Sequence, residues 1–264
     1  MTAKISKSIP PLLWVGAFIA SIFLIMPFIG LSQRTPWSTF FQTVTEEAVF
    51  QSITLSLVVA TSATAICFLL GLPLGWVLAR SHVKGLKVIR AIVLLPMVLP
   101  PVAGGTALLF ALGRKGFIGE KLDSWFGLTL PFTTAGAIIA ATFVSLPFFV
   151  LAIETAASQL DPHFEESSLS LGAGPTRTFF TASLPMIKPA IFAGIALSWA
   201  RALGEFGATI TFAGDNPERT RTLPLQLFVA LETNPERAMV LGMLMVIISL
   251  SVLVALRGKW IAAQ

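Results

Sequence analysis

Charge, cysteine and histidine are all scarce in this chain. Only 12% of its 264 residues are charged, against about 25% in an ordinary soluble domain. A water-facing surface of the usual kind is therefore excluded for most of its length. The single cysteine, Cys67, allows neither an intrachain disulfide nor a thiolate metal cluster, and it says nothing about compartment. With two histidines, one cysteine and no H-E-x-x-H pattern, a metal-dependent reaction is not expected. No G-x-x-x-x-G-K-[ST] stretch occurs, so the chain has no phosphate loop with which to bind ATP. Internal repeats and low-complexity segments are also absent.

What is present is apolar. Hydrophobic residues make up 55% of the chain. They gather into stretches at 12–31, 53–79, 91–112, 131–153, 189–213 and 238–256. Each is long enough for a transmembrane helix, which takes about 20 residues. Only the fifth stretch contains charges, Arg201 and Glu205. Little remains for a soluble domain, so we expect an all-α polytopic membrane protein with six transmembrane helices in a single domain over 1–264.

Basic residues set the expected orientation. With the amino terminus inside, inner segments carry Lys4, Lys7, Arg80, Lys84, Lys87, Arg90, Arg177, Lys188, Arg257 and Lys259. Outer segments carry Arg34, Arg114, Lys115, Lys121, Arg219, Arg221 and Arg237. The short loop 80–90, with four basic residues and no acidic one, is the strongest local vote. Both termini are therefore expected in the cytoplasm. Trp37 and Trp125 then fall at the outer boundary, and Trp14, Trp76 and Trp260 at the inner one, as interfacial anchors do. Lys4 and Lys7 ahead of an apolar run suggest a signal peptide, but the run is long and no small-residue cleavage site follows cleanly, so it reads as a retained helix. The net charge of +5 reflects this topology, and no nucleic-acid partner is expected.

Helix breakers punctuate the spans. Gly71-Leu-Pro73-Leu-Gly75 suits close helix approach with a kink. The third span carries Pro96, Pro100 and Pro101, then Gly104-Gly105-Thr106. Such breakers at membrane depth need protein or a water-filled cavity to satisfy the freed backbone. Either a simple kink or a position beside a pathway accounts for them.

The stretch 161–188 is polar. Glu166 is followed six residues later by Gly172, and Gly172 twelve residues later by Leu184-Pro185. A short helix over 164–171 would close at Gly172, and Gly174-Pro175 would restart the chain. Leu169, Leu171, Phe179 and Phe180 are too apolar for an idle exposed loop. Pattern alone also allows an amphipathic hairpin lying on the membrane. This stretch resembles the cytoplasmic coupling loop of ABC-importer permeases, with Ser167 and Ser168 where that family usually has alanines. The resemblance implies a type I ABC-importer permease fold. It also implies that Glu166, Gly172, Gly174, Pro175, Arg177, Leu184 and Pro185 dock into an ATPase subunit.

Further along, Ser198-Trp-Ala-Arg201-Ala-Leu-Gly204-Glu205-Phe-Gly207 and then Thr220-Arg-Thr222-Leu-Pro224 resemble the molybdate permease branch, with sulfate permeases as near relatives. The resemblance covers essentially the whole chain. It implies a prokaryotic inner-membrane homodimer in contact with lipid, two ATP-binding subunits and an extracytoplasmic oxyanion-binding protein. ATP and magnesium would belong to the partner ATPase, with no cofactor on this chain. Molybdate or tungstate is the expected cargo, with sulfate or thiosulfate as the alternative.

Arg201 and Glu205 stand one helical turn apart, hence on one face. Ionisable residues inside a membrane helix pair up or face the bundle interior. They read either as a structural pair or as part of a gate. Gly104, Gly105, Thr106, Ser198 and Gly204, with Thr209, complete the pathway candidates, and Glu154 is expected at the inner interface. Two other classes compete. A membrane enzyme would use Glu154, His163 and Glu205, which share no catalytic spacing. An ATPase-independent channel would leave the coupling loop unexplained.

Overall fold

The computed structural model describes residues 10–261. Lys4 and Lys7 lie outside the described residues, as do the side chains of Arg257, Lys259 and Trp260. Among the described residues all regular structure is helical. In chain order the helices are α1 Pro11–Arg34, α2 Trp37–Thr45, α3 Glu47–Arg80, α4 Leu86–Val98, α5 Pro101–Leu112, α6 Gly119–Phe126, α7 Thr134–Gln159 and α8 His163–Ser170. They continue as α9 Pro175–Thr178, a π-helical turn Phe179–Ser183, α10 Leu184–Met186, α11 Lys188–Leu203, α12 Gly207–Phe212, α13 Leu223–Thr233 and α14 Pro235–Ile261.

α1, α3, α7 and the described part of α14 are each long and apolar enough to cross a bilayer. α1 buries none of its residues and offers apolar side chains all round, as a helix solvated by hydrocarbon does. The other two expected spans are broken. Instead of one helix over 91–112, α4 and α5 meet at a bend of 120°. The cause is Pro100-Pro101: neither ring nitrogen can donate a hydrogen bond, and Leu99 before them is pushed to an extended conformation at ψ 138°. The fifth expected span is also not continuous. α11 stops at Leu203 and α12 restarts at Gly207, while at its other end α11 bends by 70° away from the 175–186 segment.

The core lies where α3, α7 and α11 pack together, around Cys67, Phe149, Ile153, Ile187 and Ile191. Glycines permit the approach. A Cβ on Gly75 would fall 2.9 Å from the Val150 carbonyl, and one on Gly194 would fall 3.0 Å from the Phe149 ring. The Gly71–Gly75 pair is thus a packing device, and α3 runs through Pro73 without interruption. A second close contact joins α5 to α12. Here Gly105 faces Ala208, and Gly207 faces Pro101, with room for no side chain at either glycine.

Candidate coupling loop and the break between α11 and α12

The stretch 161–188 folds into a helical hairpin. Asp161 accepts a hydrogen bond from the His163 amide at 3.0 Å, and Glu165 and Glu166 occupy the first turn of α8, where a helix favours negative charge. α8 closes in a Schellman motif: the Gly172 amide donates to Leu169 O (2.9 Å) and the Ala173 amide to Ser168 O (3.2 Å). Gly172 has φ +84°, the left-handed conformation this closure demands. Pro175 opens α9, and the Ser168 and Thr178 hydroxyls, 3.0 Å apart, tie the two arms.

Glu166, Gly172, Gly174, Pro175, Arg177 and Pro185 are all exposed. Leu171 stands out furthest, 89% exposed at the tip, with Leu169 and Phe180 also open. Phe179 departs from expectation: it is half-buried, its ring edge-on to Trp76 at 4.9 Å. Leu184 is also half-buried and packs onto the Cys67–Phe149–Ile153 cluster. Of the two adjacent glutamates, Glu166 reaches only His163, at 3.2 Å on the surface. Glu165 is the one built into the protein, bonded to both Arg80 and Ser183. Sequence reading singled out neither Arg80 nor Glu165. The signal was present in the basic loop 80–90, whose arginines had no local acid and had to find one elsewhere. Arg90 does so as well, pairing with Glu154 and donating to Leu78 O.

The second candidate region lies at the break. Arg201 and Glu205 do pair, Nη1 to Oε2 at 2.7 Å. However, they do not share a continuous helix face, because α11 has ended between them. Glu205 is 3% exposed, and its other oxygen accepts the Ala208 amide at 2.7 Å, which caps α12. One carboxylate thus serves the last turn of one helix and the first of the next. Gly204 is exposed and Arg201 partly so. Several pathway candidates lie elsewhere than on an open face of this chain. Gly104 is buried against Phe143, Gly105 against α12, and Thr209 is buried. Ser198 is fully buried and gives its hydroxyl to Gly194 O, whereas Thr106 is partly exposed and gives its own to Val102 O.

A catalytic grouping of Glu154, His163 and Glu205 is not assembled, since each is engaged with a different partner. Among the described residues no cluster of three metal-ligating side chains occurs.

The model of the family "Binding-protein-dependent transport system inner membrane component" matches residues 71–263. The chain belongs to that family. Its members are transport subunits of the inner membrane, which accounts for a helix set solvated by hydrocarbon and a hairpin with apolar side chains left open. The chain is 38% identical over 251 residues, 95% of each sequence, to the "Molybdenum transport system permease protein ModB" of Mycobacterium tuberculosis. It is 39% identical to the protein of that name from Escherichia coli K12, over 81% of this chain and 93% of the relative. A "Probable sulfate transport system permease protein cysT" of Chlorokybus atmophyticus is 34% identical over 79% of this chain and 74% of its own length. In structure the chain resembles a subunit of a bacterial ABC transporter involved in alginate import, with a TM-score of 0.71, 19% identity and 94% of each chain covered. That likeness gives a type I ABC-importer permease fold.

Proposed function

We propose that this chain is the membrane-spanning permease subunit of an ATP-driven molybdate importer. The observation that carries the reading is 38% identity along 95% of the chain to proteins named for molybdenum transport. The exposed hairpin with Leu171 at its tip supports it, because such a surface is suited to a protein cleft. In this reading the whole chain is one permease domain, and two copies form a dimer with both termini in the cytoplasm. Glu166, Gly172, Gly174, Pro175, Arg177 and Pro185 meet a separate ATPase that binds ATP and magnesium, while Leu184 anchors the hairpin. An external oxyanion-binding protein delivers the cargo. Arg201 and Gly204, at the break in the fifth span, stand beside the path. Pairing with Glu205 softens the arginine's charge, so a dianion passes without being trapped.

The test is uptake into proteoliposomes that contain the permease, its ATPase and its external binding protein. Labelled molybdate is expected to accumulate only with ATP, and an excess of sulfate of about one order of magnitude to compete poorly. Preferential uptake of sulfate would move the chain to the alternative cargo. Uptake independent of ATP would remove the importer reading. Within the same assay, Gly172→Trp is expected to leave the dimer intact and abolish co-purification of the ATPase. Normal co-purification with normal uptake would take Gly172 out of the docking surface.

A further inference from the structure

We infer that Arg80 is a positioning residue for energy coupling, locking the docking hairpin to α3 so that hairpin and core move as one body. The inference rests on the reading of the chain as an ATP-driven permease.

Arg80 is the last residue of α3 and the meeting point of four segments. Its Nη2 donates to Glu165 Oε1 on α8 at 3.0 Å and to Leu160 O, just past the end of α7, at 3.1 Å. Its guanidinium lies 5.7 Å over the Trp76 ring, and that ring meets Phe179 at the start of the π-helical turn. Glu165 Oε1 in turn accepts from the hydroxyl of Ser183, at the end of the same turn, at 3.1 Å. A single carboxylate thus joins the first arm of the hairpin, the second arm and the transmembrane core. Ser183 is buried, and Arg80 and Glu165 are only 20% and 24% exposed in their side chains, so water competes weakly for these bonds. The neighbouring Glu166 meets only the exposed His163 of its own helix and faces solvent, which separates a docking glutamate from an anchoring one.

Without this lock the hairpin would be held to the core by its two chain connections, by Leu184 and by the edge of Phe179 on Trp76, none of which fixes α8. α3 packs closely along α7 and α11 through Gly71, Gly75 and Gly194. A displacement imposed on the hairpin through Arg80 therefore reaches the whole three-helix core. The planar guanidinium is suited to this task. It bonds two oxygens while stacking on Trp76, which a lysine ammonium cannot do in the same geometry.

The experiment uses the full permease–ATPase complex with Arg80→Gln, Arg80→Lys, Glu165→Gln and Ser183→Ala. Three quantities are read: ATPase co-purification, the ratio of molybdate imported to ATP hydrolysed, and amide hydrogen exchange across 163–186. Arg80→Gln is expected to retain the ATPase and its hydrolysis while the transport ratio falls about tenfold, a typical coupling loss. Exchange at the amides of 165–173 should rise with no change in the interior of α3, and Arg80→Lys should recover part of both. Glu165→Gln, which keeps an acceptor for Ser183, and Ser183→Ala, which keeps the ion pair, should shift both readouts in the same direction by less. These two serve if Arg80→Gln fails to accumulate. A parallel fall of hydrolysis and uptake, or unchanged exchange in all four variants, would overturn the assignment. Wild-type uptake in the same vesicles reports separately on the transport reading, and the exchange measurement needs no substrate.

Discussion

Two arginine–glutamate pairs in this chain do opposite kinds of work. Arg201 and Glu205 are four residues apart, and they meet at 2.7 Å with the glutamate almost wholly buried. Arg80 and Glu165 are 85 residues apart, and they meet at 3.0 Å with both side chains partly open. The first pair repairs a local fault. It spans a helix break and spends the second carboxylate oxygen on the Ala208 amide. The second pair has no local role and holds distant segments in register. A buried pair is expensive to leave half-made, whereas a half-exposed one is cheap in stability and matters through what it connects.

The strongest way to break that comparison is to delete the buried acid. Glu205→Ala removes both the counter-ion of Arg201 and the cap of α12, and should cost about 3–5 kcal/mol. Thermal unfolding of the detergent-solubilised protein measures it. A cost like that of an ordinary surface mutation would mean that water or lipid headgroups already satisfy Arg201.

The pair itself is tested by a cycle of Arg201→Gln and Glu205→Gln. The glutamine keeps an oxygen for the Ala208 amide, so the cycle isolates the charge term. Each single change is expected to be worse than the double, with a coupling of about 1–3 kcal/mol. If the pair only holds the break, stability and uptake both return in the double variant. If it also governs passage, stability returns and uptake does not. Additive losses in both measurements would show that the two side chains do not interact.

The break has a packing side too. A Cβ on Gly207 would come 2.8 Å from Pro101, whereas one on Gly204 meets nothing nearer than 3.7 Å. Gly207→Ala should therefore cost about 1–3 kcal/mol through overpacking, while Gly204→Ala should be close to neutral. Equal effects in a thermal shift assay would deny that α12 is pressed against α5.

What the sequence could reveal follows the same division. The spans over α1, α3, α7 and α14 were legible because lipid solvation writes itself as apolar length. The hairpin was legible because Gly172 and Pro175 carry its turn chemistry within a few residues. The Arg201–Glu205 contact could be read from spacing, but the helix ending between them could not, since Gly204 by itself does not forbid a helix that continues through Glu205 and Phe206. The break at Pro100 was half-visible: proline announces an interruption but does not give the angle. Arg80–Glu165 was visible only as an arginine without a local acid, because choosing Glu165 over Glu166 requires knowing which way α8 faces α3. Burial of Ser198 and Gly105 was likewise set by which helices happen to be neighbours.

The smallest expected effect concerns the turn of the hairpin. Gly172 sits at φ +84° with open space where a side chain would be, so a substitution there meets a conformational cost and no steric one. Gly172→Ala should weaken the hairpin by about 1 kcal/mol, the penalty of the left-handed region for an L-residue. Gly172→Asn should weaken it less, since asparagine tolerates that region through local hydrogen bonding. Hydrogen exchange at the amides of 172 and 173, which close α8, provides the readout in the isolated permease. The comparison with Arg80→Gln then becomes sharp. The turn variant should loosen only the last turn of α8 and leave Glu165 bonded to Ser183, whereas the latch variant should free the whole hairpin from α3. If Gly172→Ala loosens 163–186 as widely as Arg80→Gln does, the hairpin is held by its own turn, and the long-range pair is not what fixes it to the core.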